Sequence, residues 1–178
     1  ETGLATLFRN NAIRTFLPIA QGVVALPGDS KPYEFSGPPP SDIPPVVALL
    51  DGYPLTEHDA LHGRITLYDP DNLLSKYLPQ EMRHGTAMSS LILHGELDAD
   101  GPPLNRRIFC RPILEPDLAN RHWNGNAAEQ EHIPEDAFAE DRVHRAIVEM
   151  FEGNNPIAPN IRIVNLSVGE QPFDRKIW

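Results

Sequence analysis

The sequence predicts an α/β domain built on a parallel sheet. Val46-Val47-Ala48-Leu49-Leu50 is an unbroken apolar run that stops at Asp51-Gly52, the pattern of a strand buried on both faces that delivers one acid at its carboxyl end. Val143, Ala146, Ile147, Met150 and Phe151 recur at helical spacing with Gly153 just beyond, which predicts an amphipathic helix over 136–152. That helix feeds a second apolar run over 161–167, and strands alternating with helices belong to parallel sheets.

Residues 1–24 alternate apolar and polar groups weakly, as a helix and then a strand would. From Leu26 to Pro45 the composition changes: seven prolines with Gly28 and Gly37 make a stiff, extended linker. We place a boundary near residue 45, so that 1–45 is an N-terminal extension and 46–178 the domain proper. In Leu55 to Ile65, His58 and His62 stand four apart, the spacing that sets two metal ligands on one helix face. Asp59 replaces the glutamate that zinc hydrolases carry beside the first histidine, and no third ligand is evident, so we read the pair as structural and expect no metal there. Asp69-Pro70-Asp71-Asn72 reads as a turn, although its acids and amide are also of the type that holds calcium.

His84 is followed by Gly85-Thr86 and by apolar residues at 87, 88, 91 and 92, with glycine at 95. This predicts a short buried helix over 85–94 with the histidine at its mouth. The positive end of the helix dipole should keep the imidazole neutral near pH 7 and able to accept a proton, given a carboxylate to orient it. Residues 107–111 form a third strand that Pro112 should end, and Cys110 within it reads as an inert core residue. Residues 117–135 are polar and acidic and read as a long surface loop.

Four segments, Val47-Ala48-Leu49-Leu50-Asp51-Gly52, His58 to Ile65, His84-Gly85-Thr86 and Val164-Asn165-Leu166-Ser167-Val168-Gly169, come in the order and spacing of subtilisin-like serine proteases. The resemblance covers 46 to about 171. It implies a three-layer, parallel-sheet subtilisin-like fold, of which this chain holds the N-terminal portion. It also implies that Asp51 is the orienting acid and His84 the general base, and that Ser167, Val168 and Gly169 pair with the backbone of an extended peptide or protein substrate. The nucleophilic serine of that family lies in a Gly-Thr-Ser motif, and its oxyanion asparagine follows a later strand. Here the serines are 30, 36, 41, 75, 89, 90 and 167, none so framed. Either the chain is the front of an active protease cut before its nucleophile, or it is a half-domain kept as a peptide-binding scaffold. A doubly wound nucleotide or signalling domain fits poorly, because no phosphate-cradling glycine loop follows the first strand.

The formal charge of -10 argues against nucleic acid or an anionic membrane as partner. Partners are expected instead in the missing half of the domain or in a second copy of the chain. One cysteine excludes an internal disulfide, no stretch is apolar enough to span a membrane, and the start does not resemble a leader. The expectation is a cytoplasmic protein.

Overall fold

Residues 35, 37–95, 101–118, 131–134 and 138–167 of the chain are described by a computed structural model. They belong to a unit spanning residues 31–167, which leaves 1–30 and 168–178 outside it.

Four strands run parallel in one sheet. These are β1 (Val47–Asp51), β2 (Ile65–Leu67), β3 (Ile108–Pro112) and β6 (Ile163–Leu166), in the order β2-β3-β1-β6. A small antiparallel pair, β4 (Glu115–Pro116) and β5 (Glu131–His132), stands apart from it. Among the described residues there are two α-helices, α1 (Arg83–His94) and α2 (Ala139–Phe151), with 3₁₀ turns at Leu73–Lys76 and Pro79–Glu81. The three strands expected from apolar runs thus share one parallel sheet, and both expected helices form.

Adjacent residues of a strand point to opposite faces, and β3 shows where the helices lie. The Cys110 thiol meets Ser89 of α1 at 3.6 Å, whereas the Arg111 guanidinium meets Glu149 of α2 at 3.1 Å. The sheet is therefore covered by α1 on one face and α2 on the other. The α1 face holds an apolar cluster of Leu49, Ala60, Leu61, Leu93, Ile108 and Cys110, against which Phe35, Met88 and Leu104 pack. As expected for a residue with no amide hydrogen, Pro112 closes its strand, and the next amide, Ile113, donates to Asp51 O at 2.8 Å.

Several segments differ from their reading in sequence. Residues 37–45, expected as a stiff linker, are bound to the unit: Arg64 donates to Pro38 O at 2.6 Å, and Ser41 N donates to Asn105 O at 2.7 Å. β2 was not anticipated, because three residues are too few to show a period. Within the expected surface loop 117–135, Glu131 and His132 are strand residues that pair back onto Pro116 and Glu115. The segment Leu55–Ile65 forms successive turns up to β2 where an i,i+4 helix face was considered. The expected elements within 1–24 lie outside the described residues.

On the α2 face, Arg111 is fully buried and its charge is met by acids from two directions, Asp71 at 3.1 Å and Glu149 at 3.0 Å. Asp71 also takes Arg142 at 3.0 Å and Arg145 at 2.6 Å. Burial would raise the Asp71 carboxyl, but these guanidinium groups outweigh it and hold the group below its ordinary value. The other acid of this turn, Asp69, accepts from the amides of Leu73 and Leu74 at 2.9 and 3.0 Å. Both carboxylates of the segment considered for calcium are thus engaged within the protein.

Candidate active site

The carboxyl end of β1 and the start of α1 meet closely. A Cβ built on Gly85 would stand 2.3 Å from the Gly52 carbonyl oxygen, and one on Gly52 would stand 2.0 Å from Glu131 Oε1. At Gly85 a side chain would meet backbone that cannot move aside, and at Gly52 it would displace the Glu131 carboxylate, so the glycines after Asp51 and His84 let helix, strand end and the Glu131 side chain approach one another. Thr86 then locks the junction, its hydroxyl accepting from Leu55 N at 2.8 Å and donating to Met82 O. Each residue of His84-Gly85-Thr86 thus has a separate task.

The result is an acid and a base in direct contact. His84 Nδ1 lies 2.6 Å from Asp51 Oδ1, and Gly52 N donates to the same oxygen at 2.6 Å. The Asp51 side chain is wholly buried, whereas that of His84 is 43 % exposed. With the Nδ1 proton directed at the carboxylate, Nε2 is left as the acceptor on the open side of the ring.

Electrostatics follow from that arrangement. Burial raises the Asp51 carboxyl, against the pull of His84 and the Gly52 amide. The hydrogen bond that His84 donates to Asp51 raises the ring above its usual value, against desolvation. The helix dipole was expected to keep the ring neutral near pH 7; the Asp51 carboxylate, expected there to orient the ring, outweighs the dipole and raises the group instead. The ring is a stronger base than an isolated histidine at a helix start.

A third carboxyl stands beside the pair. Glu131 of β5 is pushed up to about 7 by burial, with Tyr77 pulling it down and Asp51 adding repulsion. Tyr77 Oη lies 2.5 Å from Glu131 Oε1 and 3.1 Å from Leu114 O. One phenolic proton cannot serve both acceptors, so when Glu131 is protonated it donates to Tyr77 and frees the phenol for Leu114. Reading the sequence missed Glu131, one acid among many in a polar segment with no local mark to set it apart.

Of the remaining expected residues, Ser167 directly follows β6 next to Asp51, buried, with its amide donating to Leu50 O at 3.3 Å and its hydroxyl to Asn165 Oδ1 at 2.8 Å. Its amide is thus already engaged in the sheet, and Val168 and Gly169 lie outside the described residues. Ser89 is turned into the core toward Cys110, and Ser75 donates to Asn72 O at 2.8 Å. Burial pushes the Cys110 thiol up to about 12, which leaves it no thiolate for nucleophilic work at neutral pH. His58 and His62 are engaged apart from each other, His58 Nδ1 accepting from Ala60 N at 3.2 Å and His62 Nδ1 lying 3.4 Å from Glu57. Among the described residues, no helix is long and apolar enough to cross a membrane. Compared with known protein families, curated proteins and solved structures, the chain finds no match.

Proposed function

We propose that the chain carries the acid–base half of a subtilisin-like serine peptidase acting on extended peptide or protein substrates. What supports this most is the 2.6 Å contact between Asp51 Oδ1 and His84 Nδ1 at the carboxyl edge of a parallel sheet, with the His84 side chain half-exposed. Asp51 fixes the tautomer and stabilises the imidazolium, and His84 Nε2 removes the proton of a serine hydroxyl as its oxygen attacks the peptide carbonyl. The same nitrogen returns that proton to the leaving amine. On this reading the serine and the oxyanion donors would have to come from outside these 178 residues, whose serines are not so framed. A substrate strand would lie along the segment that begins at Ser167 and continues through Val168 and Gly169.

The 178 residues alone are expected not to hydrolyse peptides, because oxyanion donors are worth about 3–4 kcal/mol and the acyl-enzyme route needs the nucleophile. The test extends the polypeptide through the next ~200 residues of its native reading frame, a length that completes an α/β domain, and treats it with a fluorophosphonate probe. Labelling that disappears in His84→Ala supports the proposal. Absence of labelling, with no Gly-Thr-Ser in the extension, would overturn it in favour of a peptide-binding scaffold.

A further inference from the structure

Asp51, His84 and Glu131 each bring one ligand atom into a group whose members all lie within 4.8 Å of one another. They come from the end of β1, the first turn of α1 and β5. Asp51 Oδ2 is buried with no hydrogen-bond partner in this geometry; the Ser167 hydroxyl lies close enough to lower the Asp51 carboxyl but donates to Asn165 Oδ1. A buried carboxylate oxygen without a donor is costly unless something positive reaches it. Glu131 adds a second carboxyl at the same imidazole, repelled by Asp51 and Glu81.

We propose that Asp51, His84 and Glu131 bind a single divalent transition-metal ion of the zinc type, and that the bound ion silences the Asp51–His84 pair. One imidazole nitrogen with two carboxylate oxygens is a mixed donor set that suits zinc and its neighbours, whereas calcium and magnesium prefer oxygen alone. Metal–ligand bonds of about 2.0–2.2 Å set neighbouring donors roughly 3–4 Å apart, so the group contracts by less than about 2 Å at its widest. His84 Nδ1 and Asp51 Oδ1 must also part from 2.6 Å, which the half-exposed ring permits.

The chemical consequence is a change of tautomer. If Nδ1 takes the ion, the neutral ring carries its one proton on Nε2; if Nε2 takes it, that lone pair is occupied. In both cases Nε2 can no longer accept a proton from a nucleophile. The binding stands on the three side chains, and only its silencing effect rests on the function proposed above.

The test is a titration of zinc chloride into the metal-free 178-residue chain, followed by calorimetry and by ¹⁵N spectra of the assigned histidine rings. The expected result is one zinc per chain, with ring shifts at His84. Affinity should fall at least about tenfold in Glu131→Gln and stay unchanged in the His58→Ala, His62→Ala double variant. No zinc uptake at micromolar concentrations would overturn the proposal, as would shifts confined to His58 and His62. The ring spectra of the unmutated chain decide the location even if Glu131→Gln fails to fold. Failure of the peptidase reading would look different: zinc would bind while the extended polypeptide stayed unlabelled by the probe.

Discussion

Glu131 and Asp51 face the same imidazole, yet burial is the first influence on both, and this makes Glu131 the residue that ties stability to pH. Its folded value is about 7 against an ordinary 4.5, so between these the folded chain keeps a proton that the unfolded chain has lost. Its contribution is complete below about pH 4.5, declines as pH rises, and is gone above about 7. His84 has the same sign, since its value is raised from 6.5 and its contribution is lost as pH climbs through the folded value. Glu131→Gln keeps the shape and removes the titration. Its urea midpoint should exceed that of the unmutated chain at pH 8, by the equivalent of about 1–3 kcal/mol, and converge with it at pH 4.5; parallel profiles would count against this assignment. Asp51 and His84 were legible in sequence because each closes a local pattern, an apolar run and the mouth of a helix. Glu131 was not, because what marks it is burial against Tyr77 and Gly52, contacts made across long stretches of chain.

At the scale of elements, the junction of β1 with α1 sets the distance between acid and base. Gly85→Ala would drive a methyl group toward a backbone oxygen, which cannot rotate away as a side chain can. We expect a loss of about 1–3 kcal/mol in unfolding free energy and a weakened Asp51–His84 hydrogen bond, read as an upfield shift of the Nδ1 proton. An unchanged proton shift would show that the helix approach does not control the pair. The strands with unbroken apolar character and the helix with period 3.6 were readable because burial on two faces or on one stripe leaves its mark on consecutive residues. The β4–β5 pair carries no such mark: two residues on each side, one of them proline, pair across a polar segment.

At the scale of the molecule, the Asp71 carboxylate gathers three guanidinium groups that help hold the α2 layer to the sheet, beside the Arg111–Glu149 pair. Asp71 follows β2, and its three guanidinium partners come from β3 and α2. Asp71→Asn leaves Arg111 buried with Glu149 as its remaining acid, at a cost of about 3 kcal/mol. Chemical denaturation should show this loss at pH 7, and the gap to the unmutated chain should narrow as pH falls below the ordinary value of 3.8, where Asp71 gains its proton. This clamp was hidden in sequence because the acid had a sufficient local reading as a turn residue, and its partners follow some 40 to 75 positions later. The strand order has a consequence for synthesis. β1 is central, yet both of its neighbours are made after it: Ala48 waits for Phe109 and Val47 for Ile163. During translation the run Val47–Leu50 therefore leaves the ribosome with both hydrogen-bonding edges open. Until β3 follows it, the nascent chain presents its most apolar strand to chaperones, and to other nascent copies of itself.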